Sequence, residues 1–173
     1  MDQELLSGAN GLTQALAQEN LLTDQLKKTA QAKKAALVSD SIEALQAELE
    51  HEEELIGRFR EQEEAREKCT RILMRKLRVD DEKVTLRQLA EKIPDSTLRE
   101  RLEKLGAALS SSVKELRELN DSVRRILILK NDHVDMMLRI LSGNEEDVPT
   151  NYDSHGSVSS EDVENHGIYE VMV

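Results

Sequence analysis

The sequence predicts an all-α protein: an elongated antiparallel helical hairpin with a third long helix beside it, in a coiled-coil-like bundle. Before residue 143 the only aromatic side chain is Phe59 and the only proline is Pro94, while leucines recur every three or four residues. Charged residues make up 34% of the chain, which is typical of long amphipathic helices. A chain without large aromatic side chains must bury narrow leucine seams between helices.

The first two helices are predicted over residues 3–38 and 40–77. In the first, leucines and alanines form one stripe at helical spacing, although Gly8 and Gly11 weaken its opening turns. The sequence Asp40-Ser41-Ile42-Glu43 fits a capping box opened by Asp40, which places the start of the second helix. A break this short favours an antiparallel hairpin. Residues 60–68 are almost wholly charged, so the apolar seam of the hairpin is expected to be thin there.

A short helix is predicted over residues 85–93. Its start is a second capping box in Thr85-Leu86-Arg87-Gln88, and Pro94 stops it. The longest helix follows over residues 97–141, capped by either Asp95 or Ser96.

The longest helix has the most regular heptads in the chain up to Val123, with a narrow apolar stripe between polar flanks. After Val123 apolar residues also occur on other faces of this helix. They form a second apolar stripe, whose positions are shifted by one residue from those of the first. A helix that is apolar around much of its circumference must be covered on more than one side. Either the first two helices or a second copy of the chain cover both sides, or part of the surface is left for a partner helix. The second stripe comprises Leu127, Val134, Leu138 and Leu141.

Beyond Gly143 the composition changes to Ser, Asn, Asp, Glu and Gly. Residues 144–173 hold eight acidic residues and no Lys or Arg, and so account for eight of the eleven net negative charges. The chain is therefore divided into a helical bundle domain at residues 1–142 and a disordered acidic tail at residues 143–173. Such a charge distribution should repel phosphate backbones, so DNA and RNA are not expected as partners.

Motifs for catalysis or metal binding are not found in the sequence. It has no glycine-rich phosphate loop, zinc spacing or nucleophile elbow, so no enzyme, metal or cofactor is predicted. Cys69 is the single cysteine and is interpreted as a helix-packing thiol. His133 between Asp132 and Asp135 is better explained as a polar interruption of the seam than as a carboxylate-histidine site. Without a signal sequence or a membrane-spanning run, a cytoplasmic protein with no stable membrane insertion is expected.

Several elements carry a resemblance to a known family when they are read in chain order. They are the Ala36-Leu37 end of the first helix, the Glu-rich helix opened by Asp40, the Thr85-Leu86-x-x-Leu89 element, the long last helix with Asn120 and Asn131, and a tail with Tyr152-Asp153 and Gly156. This arrangement resembles the FlgN family of flagellar type III export chaperones. The resemblance covers nearly the whole chain.

The resemblance implies a cytoplasmic chaperone that binds hook-associated (hook-filament junction) proteins, prevents their premature assembly and passes them to flagellar export gate components. Members of this family use their C-terminal region for capture, which coincides with the broadened apolar surface after Val123. A helix docked there would be a helix-in-groove interaction. A structural or scaffolding coiled coil that acts as a homodimer is the alternative. The predicted partner-binding residues are Ile126, Leu127, Leu129, Val134, Met137, Leu138 and Leu141.

Overall fold

The protein is described here from a computed structural model, which defines residues 3–79 and 84–142. These residues form four helices, α1 (Gln3–Val38), α2 (Ile42–Leu77), α3 (Leu86–Glu91) and α4 (Ser96–Ser142), and no strand. The all-α prediction is therefore confirmed. The predicted acidic tail at 143–173 lies outside the described residues.

Helix α1 lies between α2 and α4 and packs along both. Against α2 it runs antiparallel, since Glu19 pairs with Arg66 whereas the later residue Lys33 pairs with the earlier Glu52. Against α4 it runs parallel, because Asn20 Nδ2 donates to the carbonyl oxygen of Leu105 at 3.0 Å, and residues later in α1 contact residues later in α4. Buried residues consequently lie on both sides of α1, in contrast to α4, which is buried along one narrow seam.

The α1–α2 break lies at the predicted place, but the cap residue was predicted wrongly. Asp40 takes a left-handed backbone conformation with φ of 55° and belongs to the turn. Ser41 is the N-cap of α2, and its hydroxyl accepts a hydrogen bond from the backbone N–H of Ala44 at 3.4 Å. The physical reason is that Asp tolerates the left-handed region, which lets the chain reverse in a short turn.

The other predicted caps are confirmed. Thr85 and Gln88 form the capping box of α3, with the Thr85 backbone N–H donating to Gln88 Oε1 at 2.9 Å. Asp95 caps α4, since its Oδ1 accepts from the backbone N–H groups of Thr97 and Leu98 at 2.9 and 3.0 Å. Of the two residues proposed for this role, Asp95 provides the cap and Ser96 is the first helical residue.

The core divides into two parts along the bundle. The larger part surrounds the start of α1 and joins all four helices through residues such as Leu12, Leu73, Leu89 and Leu109. The smaller part lies further along and is built from Leu22, Leu26, Ala30, Leu55 and Leu116. The bundle is thus best packed at the end where α1 and α4 both begin.

Between these apolar parts, the charged run 60–68 contributes a buried ion pair. Arg66 Nε donates to Glu19 Oε1 at 2.8 Å, and the Glu19 side chain is fully buried. Burial raises the pKa of Glu19, against the opposing effect of Arg66. A charge pair replaces leucine at this level of the hairpin, in agreement with the expected thin apolar seam.

Candidate partner-binding surface

Helix α4 is longer than the hairpin beside it. The Lys130 ammonium group contacts the carboxylate of Asp40, which lies in the turn between α1 and α2. Because α1 and α4 run parallel, residues 131–142 extend past that turn. Twelve helical residues span about 18 Å, so the last three turns of α4 project beyond the hairpin.

The seam of α4 is buried only where the hairpin lies against it. Leu102, Leu109, Leu116 and Val123 are buried, and Ile126 and Lys130 are the last partly covered residues. Every residue from 131 to 142 is exposed. The change in exposure therefore coincides with the end of the hairpin.

The residues predicted from sequence to bind a partner lie in this region. Ile126 is half-buried, and the other six are exposed. The accessible fraction of the side chain is 44% at Leu127, 58% at Leu138 and 79% at Leu141. Leu129, Val134 and Met137 have values between 44% and 79%. Ile128, Met136 and Ile140 are also exposed here, and the prediction left them out.

Most of these residues share the face with which α4 packs on α1. Taking Lys130 as the reference on that face, Val134, Met137 and Leu141 follow at four, seven and eleven residues, which are positions of one helical face. Leu127 precedes Lys130 by three residues and belongs to the same face. The apolar surface is thus a direct continuation of the α1–α4 interface, with no helix of the described chain covering it.

This geometry changes the interpretation of the second stripe. The sequence pattern suggested that Leu127, Val134, Leu138 and Leu141 are exposed because they lie off the heptad seam. Past Lys130, however, the seam position Met137 is as open as the stripe positions. These residues of α4 are exposed because the hairpin ends before it reaches them. The option that α1 and α2 cover both sides of the late part of α4 is wrong for residues 131–142.

The opposite side of the projecting segment is polar. Asp132, Asp135 and Arg139 lie there, and Asn131 Nδ2 donates to Asp135 Oδ2 at 3.3 Å. Two exposed apolar residues are exceptions on this side, since Ile128 precedes Asp132 by four residues and Met136 follows it by four. The projecting segment is therefore an amphipathic helix with one polar face and one uncovered apolar face.

Two further apolar residues flank the hairpin turn and were not proposed from the sequence. Val38 ends α1 and Ile42 begins α2, and their side chains are 68% and 74% accessible. Together with Asp40 they form the hairpin tip, which lies where α4 begins to project. The signal in the sequence was two branched apolar residues on either side of a turn, a pattern that also occurs in buried hairpin ends.

The residues that were examined in the sequence for metal binding or catalysis lie in different parts of the fold. His133 is exposed on the projecting segment, so it does not interrupt a packed seam as was expected. Within residues 3–79 and 84–142, no cluster of His, Cys, Asp and Glu could hold a metal ion. Cys69 is partly buried against the core, and burial raises the pKa of its thiol. None of the four described helices has a segment long and apolar enough to cross a membrane.

An uncovered apolar helix face beside a polar one is typical of surfaces that bind other proteins. A family model, described as FlgN protein, matches residues 1–160. The chain therefore belongs to the FlgN family, which is a family of flagellar export chaperones. No curated protein and no solved structure matches the chain significantly.

Proposed function

We propose that this chaperone binds hook-associated proteins in the cytoplasm, prevents their premature assembly and delivers them to flagellar export gate components. The observation that supports a substrate-binding role is the uncovered apolar face of α4, and membership of the FlgN family supports flagellar proteins as the substrates. We further propose that a helical segment of the substrate packs on this face through Ile126, Leu127, Leu129, Val134, Met137, Leu138 and Leu141.

The energetics of such a site suit a chaperone that must release its substrate. Full burial of one Leu or Met side chain contributes about 1.5 to 3 kcal/mol. Association and ordering of the partners oppose binding by about 4 to 15 kcal/mol. Four or five apolar anchors therefore give a complex of moderate affinity that can dissociate at the export machinery.

The proposal is tested by placing charges on the apolar face. Leu127→Asp combined with Leu138→Asp should abolish capture of purified hook-associated proteins, because burying two carboxylates against an apolar helix is strongly unfavourable. The free protein should stay folded, since both side chains are already exposed. Pull-down and circular dichroism measure the two properties separately.

A matched control comes from the same helix. Ile128→Asp adds the same charge to an exposed apolar residue on the polar side of α4, and it should leave capture unchanged. A double variant that is folded and still binds as the wild type does would contradict the proposed site. A dimer that persists on dilution and buries the same face would favour the scaffolding alternative.

A further inference from the structure

We infer that the hairpin tip, through Val38 and Ile42, is the end wall of the substrate site, against which one end of the docked substrate helix rests. This inference rests on the proposed function and concerns the same site. It commits to one occupant, an amphipathic substrate helix of about three turns, the length of the projecting part of α4.

The position of the docked helix follows from the continuity of the α4 face. Packed helices lie about 8 to 10 Å apart, axis to axis. Helix α1 packs along α4 and ends at the turn, where Lys130 of α4 contacts Asp40. A helix packed on the same face further along must therefore lie roughly in line with the hairpin, and its end must meet the tip.

Val38 lies on the same flank of α1 as Lys27, which contacts α4. Lys27, eleven residues earlier, donates to Glu115 Oε2 of α4 at 3.0 Å and to the Ser112 hydroxyl at 3.1 Å. Eleven residues are close to three full turns, so Val38 projects in nearly the same direction as Lys27. Its side chain is nonetheless mostly exposed, which leaves an apolar group beside the start of the uncovered face.

The backbone of the tip is already hydrogen-bonded. The N–H groups of Ser39 and Ser41 donate to the carbonyl oxygens of Ala35 and Ala36, each at 3.0 Å. The Ser39 hydroxyl also donates to the Ala35 carbonyl at 3.0 Å. Because the carbonyl groups of Ala35 and Ala36 already accept hydrogen bonds, a helix end that covers the tip would not leave them without partners. The groups that it would bury are the branched apolar side chains of Val38 and Ile42.

The test compares two double variants of the full chain in binding to purified monomeric hook-associated proteins. Val38→Ser with Ile42→Ser should weaken binding about tenfold, the order expected for losing the partial burial of two apolar side chains. The matched control, Leu21→Ser with Leu49→Ser, changes one exposed apolar residue on each of the same helices away from the tip. It should bind as the wild type does.

Hydrogen exchange on the wild-type protein gives a second measurement that requires no substitution. Amides of Ser39 to Ala44 should exchange more slowly in the complex than in the free chaperone. The end-wall proposal would be overturned if amide exchange at the tip were unchanged in the complex. It would also be overturned if the tip variant and the control variant weakened binding equally. If Leu138→Asp abolishes binding while the tip variant binds normally, the end wall is wrong and the proposed function stands. If the wild type captures none of the hook-associated proteins, both proposals fall.

Discussion

Gly11 lets α1 and α2 approach closely at the well-packed end of the bundle. An ideal Cβ built at this residue would lie 2.7 Å from the Sγ atom of Cys69 in α2. Gly8, one turn earlier, faces Leu73 at an ordinary contact distance of 3.4 Å. The glycine that weakens the start of α1 as a helix former is therefore used for packing against the thiol of the neighbouring helix.

A double-mutant cycle tests this contact. In the wild-type background, Gly11→Ala gains about 1 kcal/mol in helix propensity but overpacks the thiol at a cost of about 1 to 3 kcal/mol. In a Cys69→Ala background the Sγ atom is absent, and the same substitution should stabilise the protein. Urea unfolding of the four proteins gives the interaction energy.

Gly57 is the matched control for this cycle. A Cβ at Gly57 meets nothing within 4 Å, so Gly57→Ala should stabilise the protein by about 1 kcal/mol in either background. Equal effects of Gly11→Ala with and without the Cys69 thiol would show that the two helices adjust freely at this level.

At the scale of the helices, α1 is joined to α2 by charge pairs as well as by leucines. Lys33 Nζ lies 2.6 Å from Glu52 Oε1, with both side chains largely buried. The second pair, Glu19 with Arg66, is less favourably placed, because Glu19 Oε2 has no hydrogen-bond partner in the described part of the chain. Its burial raises the pKa of Glu19, which means that the fold favours the protonated carboxyl.

Glu19 should therefore give the stability of the hairpin a specific pH dependence. Because its pKa is raised on folding, its favourable contribution is complete below the unfolded pKa and is lost as the pH rises through the folded pKa. Lowering the pH from 7 should stabilise the wild type relative to Glu19→Gln, by at most about 1.4 kcal/mol per pH unit. At pH 7 the Gln variant should be at least as stable as the wild type.

Urea unfolding at several pH values between 7 and 5 measures this difference. The other carboxylates are common to both proteins, so their titration cancels in the comparison. A difference in stability that stays constant with pH, or that grows in favour of the Gln variant on acidification, would contradict the raised pKa.

The helices themselves could be predicted from the sequence because their signals are local. Leucine spacing and the Thr85–Gln88 capping box depend on neighbours within one or two turns. The cap of α2 was misplaced by one residue, since Asp40 and Ser41 are both good cap residues and only the backbone of the turn decides between them. Which helices pack together was harder to predict from the sequence, because apolar periodicity does not show that α1 is buried on both sides.

The candidate surface shows the same division between local and global information. The apolar character of residues 126–141 was evident from composition, and six of the seven proposed residues are exposed. The reason for their exposure was not evident, because it depends on where the hairpin ends relative to α4. The exposed apolar residues Val38 and Ile42 were missed for the same reason, since only the fold brings the hairpin turn, through Asp40, into contact with Lys130 of α4.

Considered as a whole, the molecule has a closed end and an open end. All four helices meet in the larger part of the core, at the beginning of α1 and α4. At the other end no other helix of the described residues accompanies α4, and none of its residues up to Ser142 is buried after Val123. Stability should therefore depend on the closed end, and partner binding on the open end.

Truncation separates these two properties in one experiment. A chain that stops after Lys130 loses no buried residue of the described chain, so its melting temperature should stay within a few degrees of the full chain, whereas capture of hook-associated proteins should be lost. A chain that stops after Ser142 lacks only the acidic segment and should keep both stability and capture, because eight acids and few apolar residues contribute little to a core. Thermal unfolding and pull-down of the three lengths measure the outcome. A large fall in melting temperature after removal of 131–142 would mean that these turns support the bundle, and the apolar face would then have a structural role as well as a binding one.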